Sequence, residues 1–119
     1  MSSRRILIID DNVALAENIA EILGYEGHAT DIAASADEAL AKALDQAVDV
    51  VVTDHRLPGM NGVDLLLQLR DILNPLRAVV ITAYMDDRMV TQAEDLGAAV
   101  MPKPINFGLL SLSVREVSA

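Results

Sequence analysis

Four apolar runs along the chain, ILIID, VDVVVTD, AVVIT and AAVMPK, each close on polar residues. The residues that close them are Asp10 with Asp11, Asp54, Thr82 and Lys103. Between the runs the spacing of apolar residues changes to that of helices. Arg5 to Ile9 does not alternate, which predicts a strand buried on both faces. From Asn12 onward Leu15, Ile19, Ile22 and Leu23 recur at helical spacing. Gly24 or Gly27 could end that helix, and Gly27 is favoured, with Gly24 tolerated inside it. His28 to Ala33 reads as a second strand.

Ser35 with Glu38 makes a capping box ahead of a helix through Ala36, Ala39, Leu40, Ala43 and Leu44. Val48 to Thr53 is the strongest β-branched run and predicts a third strand. The turn formers of LPGMNG follow, and Asn61 or Gly62 starts a third helix. Val63, Leu66, Leu67 and Leu69 to Leu73 supply its apolar side until Asn74-Pro75 breaks it. Ala78 to Ile81 is a fourth strand. A polar helix from Asp86 to Leu96 ends at Gly97, and Ala98 to Met101 is a fifth strand. Asn106 caps a last helix bearing Leu109, Leu110, Leu112 and Val114. This alternation predicts an α/β fold, a parallel sheet with helices on both faces, in one domain over residues 1–119.

Composition narrows the function. The chain has 119 residues, 52% hydrophobic and 23% charged, which is globular and not disordered. Its 9 basic and 18 acidic residues give a net charge of −9. That charge opposes direct nucleic-acid binding, which depends on clustered Lys and Arg. Without cysteine there are no disulfides and no thiolate metal sites. No run is long enough to span a membrane, and MSSRRILII lacks the length and cleavage site of a signal peptide. A soluble cytoplasmic protein is expected.

In an open α/β sheet, ligands bind beyond the carboxyl ends of the strands, where strand order reverses. Four strand ends would bring three carboxylates, a hydroxyl and an ammonium to that rim. Adjacent carboxylates such as Asp10 and Asp11 repel one another unless a cation intervenes. A hard ion such as Mg²⁺ takes one or two carboxylates, keeps waters and accepts phosphate oxygens. Asp54, ending a central strand, can attack phosphorus to give an acyl phosphate. Thr82 can donate to a phosphoryl oxygen and Lys103 can offset its charge. Singly, each has a plainer reading: a helix cap, a turn-starting Asp, a β-forming Thr, a solvated Lys. Their joint occurrence at successive strand ends is what argues for a site.

These residues carry a resemblance. Asp10-Asp11, Asp54 in DHRLPGMNG, Thr82-Ala83 and Lys103-Pro104 are together similar to the motifs of response-regulator receiver domains of two-component signalling, over essentially the whole chain. The resemblance implies a doubly wound flavodoxin-like sheet in the order 2-1-3-4-5 with five helices. It implies that Asp54 accepts a phosphoryl group from a histidine kinase or histidine phosphotransfer protein. Asp11, Asp54 and the backbone carbonyl of Arg56 would hold Mg²⁺, with Asp10 helping through water. Thr82 and Lys103 would bind the phosphoryl group and switch the surface around the fourth strand and fourth helix. Arg56 and Tyr84 would border the pocket, and His28 and His55 would be a strand starter and a rim residue. Kinase docking would use Ala14, Asn18 and Glu21 on the first helix with Pro104 and Ile105. One departure stands out: many receivers carry an aromatic three residues before the lysine, and this chain has Val100.

Rival readings fit less well. An aspartyl-nucleophile phosphohydrolase of the haloacid-dehalogenase type needs a second acid two residues after the nucleophile, where this chain has Arg56. A flavodoxin-like nucleotide binder needs a Ser/Thr/Gly phosphate loop after the first strand, where Asp10-Asp11 would repel phosphate. A receiver that no longer accepts phosphate would not be expected to keep the full set.

Overall fold

The computed structural model describes residues 3–116. Five parallel strands form one sheet: β1 (Arg5–Ile9), β2 (Ala29–Ala33), β3 (Val50–Asp54), β4 (Ala78–Thr82) and β5 (Ala98–Pro102). They lie in the order β2-β1-β3-β4-β5, as the resemblance implied. The helices are α1 (Val13–Tyr25), α2 (Ala36–Asp45), α3 (Gly62–Leu69), α4 (Asp87–Asp95) and α5 (Phe107–Glu116).

Right-handed crossovers place helices on both faces, so each central strand feeds two cores. On one face Ile6, Ile8, Val50, Val52, Val79 and Ile81 meet Ala16, Ile19 and Leu23 of α1 and Leu110 and Val114 of α5. On the other, Leu7, Ile9, Val51 and Val80 meet the buried sides of α2, α3 and α4. Burial on both faces explains why these runs are continuous instead of alternating.

Local chemistry sets the helix ends. The Asn12 side chain accepts from the Leu15 amide at 3.1 Å and caps α1. Ser35 accepts from the Glu38 amide at 3.1 Å, and Glu38 reaches back to the Ala34 amide at 2.7 Å. Helix α1 ends just before Gly27, whose φ of +95° suits glycine. On the outermost strand, Lys42 of α2 donates to Asp31 at 2.9 Å and to the Ile32 carbonyl at 2.6 Å. Asp31 also accepts from the Ile32 amide at 2.8 Å and from Gln46 at 2.8 Å.

Several boundaries and phases differ from the sequence reading. Helix α3 stops at Leu69, and the backbone turns over the next residues instead of continuing to the Asn74-Pro75 pair. Starting at Gly62 fixes its phase, so Leu65 is fully buried and Leu67 is 42% exposed. In α5, Leu110, Ser111 and Val114 face inward, while Leu109 and Leu112 are exposed. Ser111 is buried because it donates to Glu26 at 2.7 Å, tying α5 to the end of α1. In α1 the buried stripe includes Ala16, and Leu15 is only half-buried. Strand β3 starts at Val50, two residues later than expected, and runs to Asp54. Strand β2 starts at Ala29; His28 precedes it, buried and accepting from the Arg4 amide at 3.0 Å. The LPGMNG turn is closed by two-residue antiparallel arms, Arg56–Leu57 and Met60–Asn61.

Candidate phosphoacceptor site

Register puts the site residues at one height. Ile9 pairs with Thr53 across β1 and β3, so Asp10 and Asp54 leave adjacent strands side by side. This is where strand order reverses, the crevice expected to bind ligands. The ladder extends just past the strands and pins each segment. The Asp10 amide donates to Ala33 at 3.1 Å, the His55 amide to Ile81 at 2.9 Å, and the Lys103 amide to Thr82 at 2.8 Å.

Asp10, Asp11 and Asp54 offer carboxylate oxygens that all lie within 4.8 Å of one another. Asp10 is buried, Asp11 is exposed and Asp54 is intermediate. Lys103 Nζ lies 3.3 Å from Asp54 Oδ1, its ammonium on one lip of the crevice. The lysine supplies one positive charge against three carboxylates, and the donor set is all oxygen. Both facts fit a hard divalent cation, whose charge would offset the remainder.

Asp10 records the imbalance. Its carboxyl pKa is pushed above the ordinary value, chiefly by burial, although the Asn12 amide donates to it at 2.9 Å. The Asp54 and Asp11 charges push the same way and Lys103 opposes them. A carboxyl whose pKa is raised on folding destabilises the folded state once it ionises. The cost begins as pH rises from the ordinary carboxylate range and is complete above the raised pKa. Asp10→Asn keeps an oxygen for the Asn12 amide and removes the charge. Metal-free Asp10→Asn protein is expected to melt above the wild type, with the gap opening as pH rises from about 4 toward neutrality. Thermal melts in chelator with no such gap would contradict this.

Only some of the other predicted residues fall around the crevice. Thr82 is buried, and Oγ1 donates to the Tyr84 carbonyl at 3.0 Å while accepting from the Tyr84 amide at 3.1 Å. Arg56 and Tyr84 are exposed and touch: the guanidinium carbon is 5.3 Å from the ring centroid. His55 is half-buried, and burial holds its imidazole pKa below the usual value, with the Asp54 charge opposing. His28 lies at the other end of the sheet, beside Arg4, away from the carboxylates. Ala14, Asn18, Glu21 and Pro104 are exposed, and Ile105 is half-buried against the α1/α5 core. Val100 is half-buried and packs against the opposite core.

Gly62, read from sequence only as a helix start, turns out to shape the site. Its amide donates to the His55 carbonyl at 2.6 Å. A Cβ there would lie 2.8 Å from the Asp54 carbonyl oxygen and 3.0 Å from His55 Cα. Only glycine lets α3 lie this close to the backbone that carries Asp54. A glycine between a turn-rich segment and an apolar helix was the available signal, but it does not reveal what the helix would approach.

The family model of the response regulator receiver domain matches residues 6–115. The chain is 45% identical over 103 residues to a response regulator receiver protein of Anaeromyxobacter, covering 86% of this chain and 43% of that protein. It is 32% identical over 117 residues to sporulation initiation phosphotransferase F of Bacillus subtilis, covering 98% and 94%. It thus spans less than half of the first relative and nearly all of the second. Among solved structures, a receiver domain from Methanospirillum hungatei has a TM-score of 0.89 at 32% identity, covering 97% of this chain and 93% of that one. A response regulator from Thermotoga maritima, in complex with Mg²⁺ and beryllofluoride, has a TM-score of 0.85 at 28% identity, covering 97% and 99%. Among the described residues no helix is long and apolar enough to cross a membrane.

Proposed function

The chain belongs to the response regulator receiver family, and on that premise we propose that it takes a phosphoryl group onto Asp54 from a phosphohistidine donor. The observation that carries this reading is the convergence of three carboxylates with Lys103 Nζ in contact with one of them. In the reaction an Asp54 carboxylate oxygen bonds to phosphorus. The phosphorus–nitrogen bond of the donor breaks, and the imidazole leaves with the electron pair and takes up a proton.

Each neighbour has a part. Lys103 places a compact positive charge beside the acceptor oxygen and, after transfer, beside the phosphoryl group. Asp11, Asp54 and the Arg56 carbonyl would hold Mg²⁺, with Asp10 acting through water. When bound, the ion offsets charge on the phosphoryl oxygens. Thr82 would turn toward the new group, shifting a two-state equilibrium at the start of α4. Arg56 and Tyr84, in contact with each other, would border the pocket.

The donor is a histidine kinase or histidine phosphotransfer protein, and the chain is a stoichiometric acceptor forming one receiver domain. Ala14, Asn18 and Glu21, exposed on α1, together with Pro104 and Ile105, would form the docking face for the donor. The protein acts in the cytoplasm, without binding nucleic acid through this domain.

Incubation with acetyl phosphate and Mg²⁺ should add one phosphoryl mass, and chelator should prevent it. Asp10 and Asp11 should separate in a Mg²⁺ titration. Asp10 is buried with one oxygen held by an amide, whereas Asp11 is exposed and free to ligate directly. Asp10→Ala is expected to weaken binding about tenfold, as loss of an outer partner does, and Asp11→Ala by more. Unchanged affinity in Asp11→Ala would refute the assignment.

A further inference from the structure

Arg77 stands just ahead of β4, at the opposite end of that strand from Thr82. Its carbonyl accepts from the Val51 amide at 2.9 Å, which fixes the backbone against β3. The side chain has no such role. Its Nε is buried, no described residue accepts from it, and no ion pair joins the guanidinium to a described residue. A buried donor without an acceptor costs stability, so the fold does not account for this arginine. Arg77 borders two concavities at once. The first, about 220 Å³, is lined by Ser3, Arg4, Asp49 and Arg77. Asp49 is already engaged there: its Oδ2 accepts from the Arg5 amide at 2.8 Å. Two guanidiniums against one carboxylate leave this concavity positive in a chain of net charge −9. The second, about 350 Å³, has Ala43, Val48, Ile72, Leu73 and Pro75 as its apolar wall and again reaches Asp49 and Arg77. The turn after Leu69 supplies Ile72 and Leu73, both half-buried.

We propose that Arg77 anchors a second binding site, which takes a small carboxylate bearing a short apolar tail. The guanidinium fork matches the two oxygens of a carboxylate, and Nε gains the acceptor it lacks. The neighbouring apolar wall removes the tail from water. Charge decides between the oxyanions that a guanidinium accepts. A phosphate monoester carries about −1.5 to −2 at neutral pH, and the Asp49 carboxylate repels the extra charge, so a monoanion fits better. Concavities of this size suit a small molecule. The site stands apart from the phosphoacceptor reading. At this end of the sheet Val51 pairs with Ala78, whereas Asp54 pairs with Ile81 at the other.

Hexanoate is the probe, titrated into the ¹⁵N-labelled full chain and followed at the arginine Nε–Hε resonances. The Arg77 resonance, assigned by its loss in Arg77→Gln, should move to a plateau, together with the Ile72 and Leu73 amides. Acetate lacks the tail and hexanamide lacks the charge. Each should bind at least about tenfold more weakly than hexanoate, since each keeps only one of the two contacts. Hexyl phosphate should also bind more weakly. Arg77→Gln should weaken hexanoate binding about tenfold or more, whereas Arg88→Gln, at an exposed arginine on α4, should leave it unchanged. The amide spectra of both variants should otherwise match the wild type, because neither change removes a contact that the fold uses. Acetate binding as tightly as hexanoate would reduce the site to a surface ion contact and overturn the proposal. So would wild-type affinity in Arg77→Gln, an equal loss in Arg88→Gln, or tighter binding of hexyl phosphate. Shifts centred on Lys103 instead of Arg77 would place the anion in the crevice and overturn it as well.

Discussion

Asp54→Ala protein, incubated with acetyl phosphate and Mg²⁺, should gain no phosphoryl mass under conditions where the wild type gains one group. The loss is expected to be complete because no neighbouring carboxylate can take over. Asp10 is buried with one oxygen bound to the Asn12 amide. Asp11 is exposed, and among the described residues the lysine on the rim pairs with Asp54. A nucleophile in this crevice needs a cation beside the oxygen that attacks, and Asp54 has Lys103 at 3.3 Å. Removing Asp54 also takes one charge from a crowded set of acids, so the variant should stay folded and the loss will reflect chemistry. Labelling of the variant equal to the wild type would show that another residue accepts the group.

Gly62→Ala should cost about 1–3 kcal/mol of stability, the range for adding an unaccommodated methyl group to a packed site. Its methyl would meet two backbone atoms, the Asp54 oxygen and His55 Cα, and neither can rotate away. Either α3 lifts off or the end of β3 tilts, and both move the acceptor, so phosphoryl uptake should slow as well. Gly24→Ala is the control. A Cβ there has no atom within 4 Å, and alanine suits a helix interior better by about 0.5–1 kcal/mol, so this change should stabilise. Denaturant midpoints for both variants test the pair. Gly62→Ala as stable as the wild type would mean that the close approach is not a constraint.

The strands were legible because burial on both faces leaves continuous apolar runs, and their last residues could be read as one rim. Helix phase was harder. Leu65 and Leu67 are chemically equivalent, and only the start of α3 at Gly62 decides which faces the sheet. In α5 the apolar spacing did not separate buried Leu110 and Val114 from exposed Leu109 and Leu112, and it gave no sign that Ser111, a polar residue, is buried through its bond to Glu26. In the site, residue types and segments followed from sequence, but the contrast between buried Asp10 and exposed Asp11 did not. Nor did the Arg56–Tyr84 contact, which joins segments with no local pattern in common. The bonds between Thr82 and Tyr84 are local, yet a threonine at a strand end gives no sign of which way its hydroxyl points.

The bonds around Ile32 bear on how copies of this protein meet one another. An open sheet ends in a strand with unpaired amides and carbonyls, a template on which another chain can add a strand. On β2 the Ile32 amide is taken by Asp31 and its carbonyl by Lys42. An incoming strand would have to displace both side chains and strand their charges. The guard holds through the ordinary carboxylate range. Burial tends to raise the Asp31 pKa, but bonds from Gln46, Lys42 and the Ile32 amide outweigh it and hold that pKa below the usual value. Only as pH falls through that lowered value does this border of the sheet lose its protection against edge-to-edge aggregation.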